Sequence, residues 1–140
     1  MKPTAIRRYK PSLPMRYLQQ EGLVKGPALD FGSGLGYDAA RHGMWMYDIN
    51  PKYHSDNLEG CKFQTITCTY VINTVFKKEE KKILNQIKDL LREGGTAYIA
   101  VRRDIRGSRF GRAGSYQRRV HLKLPVVTDN SAFAIYKLEK

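Results

Sequence analysis

The chain has 140 residues, 41% hydrophobic and 27% charged, and its 25 Lys+Arg against 13 Asp+Glu give a formal net charge of +12. That length suits one domain around one core, the composition excludes a disordered chain, and no stretch approaches the about 18 apolar residues of a membrane span. Two cysteines, Cys61 and Cys68, lacking CxxC spacing, exclude a disulfide scaffold and a Cys-rich zinc site and fit a reducing compartment.

Residues 1–14, MKPTAIRRYKPSLP, are basic, hold Pro3, Pro11 and Pro14, and read as an extended arm. No apolar core follows this start, so no secretory signal is visible and a cytoplasmic location is expected. Ser12 and then Pro14 mark the cap and first turn of a short helix through MRYLQQEGL, stopped near Gly22. PALDF, 27–31, is a buried strand feeding a tight turn. Residues 37–42 suffice for one short helix, and MWMYD, 44–48, is a second strand ending in an acid. Residues 51–60 read as loop. FQTITCTYVI, 63–72, is rich in β-branched and aromatic residues and reads as a central strand. In 79–93, Ile83, Leu84, Ile87, Leu90 and Leu91 recur at helical spacing; Glu79 and Glu80 favour the start and Gly94-Gly95 the stop. TAYIAV, 96–101, is a strand, 104–116 a Gly/Arg loop, and RRVHLKLPV and AFAIYKLEK two final strands. This order predicts an α/β fold: a mainly parallel sheet with an antiparallel C-terminal hairpin, in a single domain over 1–140.

The charge is unevenly placed. Residues 26–101 carry nine bases and nine acids, so the whole excess lies in 1–25 and 102–140. Seven arginines fall between 102 and 119, among glycines and the aromatics Phe110 and Tyr116. A neutral centre flanked by basic ends predicts a ligand-binding core with a surface for nucleic acid or another polyanion, with Arg109, Arg112 and Tyr116 as candidate contacts.

The sharpest local signal is Asp30-Phe31-Gly32-Ser33-Gly34-Leu35-Gly36. Glycines at alternate positions allow a tight turn and close approach of a ligand, where a first strand hands over to a helix. The sixth position of a dinucleotide fingerprint is Tyr37 instead of glycine, and Asp30 precedes the turn. A carboxylate there does nothing for a pyrophosphate but suits a ligand bearing an ammonium or sulfonium. Asp48, 16 residues after Gly32, ends the second strand and suits hydrogen bonding to ribose hydroxyls.

LDFGSGLG, YDINP and the run from TITCTYVINTVF to TAYIAV, in this order over about residues 27–102, resemble the motifs of class I S-adenosylmethionine-dependent methyltransferases of Rossmann-like fold. TAIRR, YDINPKYH, YVINTV and GSYQ are similar, more loosely, to methyltransferases associated with DNA phosphorothioation systems. The resemblance implies S-adenosylmethionine (SAM) as cofactor. Gly32, Gly34 and Gly36 would cradle its methionine part, Asp30 would lie near its ammonium, Asp48 would hold the ribose and Ile49 the adenine. Thr67 or Cys68 would sit near the methionyl group, and Tyr70 would face the acceptor. His54, beside Tyr53, is a second catalytic candidate; Asn73 stands open between core and site.

The family's second helix and third strand have no counterpart, because only loop-like residues 49–62 separate Asp48 from the next strand. The expected fold is therefore a minimal methyltransferase sheet. Methyl transfer from a sulfonium needs positioning more than acid–base chemistry, so the lack of a triad does not exclude an enzyme. The expected function is a SAM-dependent methyltransferase acting on nucleic acid or another anionic substrate, without metal and without a membrane partner. Alternatives are a SAM-consuming or small-molecule enzyme on the same fold, and a non-catalytic nucleic-acid-binding module. The short sheet leaves room for a homo-oligomer.

Overall fold

The computed structural model describes residues 4–110 and 115–140. Its elements are α1 (Leu13–Gln20), β1 (Ala28–Phe31), α2 (Tyr37–Arg41), β2 (Trp45–Tyr47), β3 (Phe63–Thr69), a 3-10 turn (Ile72–Thr74), α3 (Lys77–Leu90), β4 (Leu91–Arg102), β5 (Arg109–Phe110), β6 (Tyr116–Gln117), β7 (Val126–Asp129) and β8 (Phe133–Glu139). Six strands form one sheet in the order β2-β1-β3-β4-β8-β7, and β5 and β6 form a separate two-stranded ribbon. β2, β1, β3 and β4 are mutually parallel, while β8 runs antiparallel to both β4 and β7. The expected parallel sheet with its antiparallel hairpin is what forms, and residues 49–62 are irregular, as expected.

Strand alternation divides the core. Ala97, Ile99 and Val101 of β4 and Ala134 and Tyr136 of β8 face α3, where Ile83 and Ile87 are buried. Tyr98 and Ala100, with Phe133 and Ile135, face the opposite side and pack with Leu18 of α1. Met15, Ala28, Ala39 and Met44 close that side nearer α2. Ser12 caps α1 as expected, its Oγ accepting from Met15 N–H at 3.3 Å.

Of the boundaries that differ from expectation, three are set by distant partners, and within the expected 104–116 loop Arg109 and Phe110 pair as β5. The strand expected over 63–72 ends at Thr69, because Tyr70 takes a φ of 59° and its N–H donates to Ala100 O at 2.9 Å. The helix expected over 79–93 is α3, Lys77–Leu90. Leu91 is already extended (φ −76°, ψ 140°) and pairs with Phe63, so the sheet stops the helix and Gly94-Gly95 fall in an irregularity of β4. RRVHLKLPV is not a strand, since Arg118 N–H goes to Asn73 O at 2.9 Å in the 3-10 turn; regular pairing begins at Val126.

Several arginines of the basic C-terminal region pin loops to the sheet. Buried Arg103 donates to Val120 O (2.6 Å), Tyr136 Oη (2.7 Å) and Asp129 Oδ1 (3.2 Å). Arg118 donates to Val75 O and Glu80 Oε1, both at 2.7 Å, and Arg119 to the carbonyls of Arg103 and Ile105, both at 3.0 Å. Arg102 grips Asp104 through two bonds of 2.8 and 2.7 Å. Among the described residues no helix is long and apolar enough to cross a membrane.

Arg103→Ala leaves a buried carbonyl and a buried phenol without their donor, and is expected to cost about 2–4 kcal/mol in denaturant unfolding. Arg109→Ala, on the exposed ribbon, should change stability by no more than about 0.5 kcal/mol. Equal effects would contradict the division of these arginines into pins and surface groups.

Candidate functional site

The turn after β1 is built by its backbone. Gly32 and Ser33 donate their N–H groups to Tyr47 O at 2.7 and 3.1 Å, and Gly34 N–H donates to Asp48 Oδ2 at 2.8 Å. The other Asp48 oxygen accepts Asn50 N–H at 2.9 Å. The end of β2 thus holds three consecutive amides of the turn. Gly32 (φ +84°) and Gly34 (φ +55°) have no substitute here. A Cβ on Gly32 would come within 2.2 Å of Val71 Cγ2, and one on Gly34 within 2.6 Å of Ala5 Cβ. Gly36 precedes α2, its carbonyl accepting Ala40 N–H at 2.9 Å.

Asp30 sits at 5% exposure, directly opposite Thr67 in the parallel pairing of β1 with β3. Thr67 Oγ1 donates to Asp30 Oδ1 at 3.0 Å. Burial pushes the Asp30 carboxyl up to about 7; the Thr67 bond and the charge of Arg8 oppose this, and Asp38 and Asp48 reinforce it. The side chain is therefore poised between neutral and charged at neutral pH.

These residues line a cleft of about 700 Å³, within the usual size range of small-ligand sites. One wall is the glycine turn with Asp30, Asp48 and Ile49; the end of β3 adds Thr69 and Tyr70, followed by Val71 and Asn73. The other wall is the N-terminal arm, whose residues 4–11 line the cleft. The arm is anchored by Asp38, which accepts Ser12 N–H at 3.1 Å and Ser12 Oγ at 2.7 Å, and by Tyr37 Oη, which donates to Tyr9 O at 3.0 Å. Carboxylates thus line the turn, Arg7, Arg8 and Lys10 the arm, and Arg16 of α1 stands next to them. Two cleft residues carry buried polar atoms without a hydrogen-bond partner, Thr69 Oγ1 and Asn73 Oδ1.

Asp30, Gly32, Gly34, Gly36, Asp48, Ile49 and Tyr70 are therefore brought to one cleft. Tyr70 is half-buried, and desolvation raises its phenol pKa, so it is protonated at neutral pH. Thr67 and Cys68 do not line the cleft. Thr67 is fully buried and serves Asp30, while Cys68 points to the opposite face of β3, into the core against α3, where burial pushes its thiol up. At this end of the sheet the cleft is lined instead by Thr69, which ends β3, and Tyr70, which follows it. His54 is 66% exposed, pairs with Asp56 at 3.0 Å and is not a wall residue; its neighbour Tyr53 is. Arg109 and Tyr116 lie on the β5–β6 ribbon beside the cleft rather than in its wall, and Arg112 lies outside the described residues.

Sequence reasoning missed Asp38, Thr69, Arg102 and Gln117. Asp38 was signalled by its position just behind the glycines. Arg102 and Gln117 carried no local signal, because only the fold brings them to the cleft. Among the described residues no group of three or more His, Cys, Asp and Glu is placed to hold a metal ion.

No protein-family model matches the chain, and no curated protein matches it in sequence. Solved structures do match. The Burkholderia thailandensis 1,6-didemethyltoxoflavin-N1-methyltransferase, solved with 1,6-didemethyltoxoflavin and S-adenosylhomocysteine, has a TM-score of 0.62 at 14% identity, over 88% of this chain and 74% of that one. A SAM-dependent methyltransferase from Mesorhizobium loti gives 0.61 at 9% identity, over 88% and 96%. The glycopeptide N-methyltransferase MtfA gives 0.60 at 9% identity, over 91% and 89%. The chain spans 48% of a further match, from work on the conversion of a disulfide bond into a thioacetal group during echinomycin biosynthesis (TM-score 0.52, 19% identity, 64% of this chain). These likenesses establish the class I, Rossmann-like methyltransferase fold. They carry no link to DNA phosphorothioation.

In the folded chain Asp30 holds its proton up to about pH 7, whereas an unfolded aspartate loses it near pH 4. Between those values the folded state binds more protons, so stability is expected to fall as pH rises. Asp30→Asn should flatten this dependence, measured as melting temperature from pH 4 to 8. A slope unchanged by the substitution would remove the assignment.

Proposed function

We propose that the protein transfers a methyl group from S-adenosylmethionine to an anionic acceptor entering between Tyr70 and the basic arm. The observation that carries this reading is the two-signed cleft, with Asp30 and Asp48 along the glycine turn and arginines facing them from the arm. The residues fit the cofactor. Asp48 has spent one lone pair of each oxygen on the backbone, on Gly34 and Asn50 N–H, and keeps the others for two ribose hydroxyls. Ile49 would pack on the adenine. Asp30, once ionised, would face the ammonium, and the unpaired Thr69 Oγ1 lies in the same cleft. The cofactor supplies an already activated methyl group, so the chain's task is to align the acceptor and exclude water. Tyr70, with its phenol proton retained, donates a hydrogen bond to the acceptor and does not act as a base.

A small-molecule acceptor is the second reading. The toxoflavin-precursor and glycopeptide enzymes support it, since both share the fold. Labelled methyl transfer onto DNA, RNA and small anionic acceptors separates the two readings, and no transfer to any of them from a protein that binds SAM would contradict an enzyme.

Asp48→Ala is expected to weaken SAM binding by about 1–3 kcal/mol if two ribose hydrogen bonds exist. An unchanged dissociation constant in calorimetry would remove the ribose assignment. Because Asp30 must give up its proton to hold an ammonium, SAM affinity should rise with pH up to about 7 and then level off. In Asp30→Asn that rise should be absent, and a rise of the same size there would place its origin elsewhere.

A further inference from the structure

Beside the cleft mouth stand three aromatic rings in a row. Tyr116 lies between Phe76 and Phe110, with centroid separations of 4.6 and 5.2 Å and interplanar angles of 39° and 51°. Phe76 is 50% exposed and Phe110 68%. Such large apolar faces at a surface are not explained by the core, since none of the three belongs to it. The row is joined to the cleft at both sides: Phe76 follows the cleft residue Thr74 by two positions, and Tyr116 precedes the cleft residue Gln117. Asn73 Nδ2 donates to Gln117 Oε1 at 2.8 Å, and Arg118 N–H and Nε bind the carbonyls of Asn73 and Val75, so the two segments are fixed to each other.

The exposed charges that flank the row in sequence are basic. Arg106, Arg109 and Lys77 are exposed, whereas the acids near the row are less exposed or engaged: Asp104 is held by Arg102, Glu80 by Arg118, and partly buried Glu79 lies 3.9 Å from Lys78. Exposed rings beside cations that make no salt bridge among the described residues are what a flexible polyanion with flat bases requires. Stacking holds the bases, and the cations follow the phosphates. A small anion would use the cations but not the rings; a duplex would present phosphates with its bases already stacked.

We infer that the Phe76–Tyr116–Phe110 row, with Arg106 and Arg109, is a docking rail for single-stranded nucleic acid that leads a base to the cleft. The delivery of a base rests on the methyl-transfer reading above, whereas the rail's binding does not.

The test is fluorescence anisotropy with a labelled single strand of about 12 nucleotides, as DNA and as RNA, against a duplex of equal length, at several salt concentrations. Phe76→Ala and Phe110→Ala, both at exposed positions, should each weaken single-strand binding about tenfold, and Phe110→Trp should restore it. Replacing Arg106 and Arg109 by alanine should lower the salt slope by about two. S-adenosylhomocysteine affinity, measured on the same variants, should not change. Single-strand affinity indifferent to both phenylalanines, no binding of any single strand at low salt, or a duplex bound equally well would overturn the rail. A protein that binds the strand through these rings but not the cofactor would keep the rail and defeat the methyl-transfer reading. Cofactor binding without strand binding would do the reverse.

Discussion

The cleft depends on one backbone arrangement: the turn after β1 gives its amides to the end of β2. Gly32 and Ser33 bind Tyr47 O, and Gly34 binds the Asp48 carboxylate. A turn of L-residues with side chains could not make these bonds, because Gly32 and Gly34 hold positive φ with neighbours pressed against them. Once the amides are fixed, Asp48 is fixed too, since the same carboxylate receives Asn50 N–H and points into the cleft. The loop that leaves β2 can then be short and irregular, because Asp48 does not need a following helix to be placed. This explains how the sheet does without the second helix and third strand usual in the fold.

The arm completes what the sheet begins. It carries positive charge over a wall of carboxylates, and a further carboxylate anchors it: Ser12 donates its N–H and its Oγ–H to Asp38. Arg8 acts electrostatically on both Asp30 and Tyr70 from that position. The charge division visible in the sequence therefore has a structural meaning beyond solubility, though a different one at each end. Near the start of the chain Arg7, Arg8, Lys10 and Arg16 line the cleft. At the end, Arg103, Arg118 and Arg119 are consumed in holding loops, and Arg106 and Arg109 stay at the surface.

What was legible in the sequence follows from the range of the forces involved. The glycine turn, Asp30 and Asp48 are local, since their spacing fixes a strand, a turn and a strand end. The α3 stripe and the alternation of β8 are periodic and easily read. The boundaries that moved were decided by distant partners: Ala100 O ends β3 at Tyr70, and Phe63 draws Leu91 into the sheet before the glycines. Cys68 was misplaced for the same reason, as strand parity sends it to the α3 face while Thr67 meets Asp30. Gln117, Arg102 and the Phe76–Tyr116 contact join segments far apart in sequence. No periodicity or motif in a single chain encodes such a meeting.

The central claim is that the glycine turn and its two aspartates form a SAM site. The most direct measurement is isothermal titration of the unmodified protein with S-adenosylmethionine, S-adenosylhomocysteine and NAD, supported by thermal shift. The account predicts binding of both S-adenosyl ligands and none of NAD, with about 2.7 kcal/mol of added stability at 100 times the dissociation constant. Binding of NAD alone, or of no S-adenosyl ligand at any concentration tried, would contradict it.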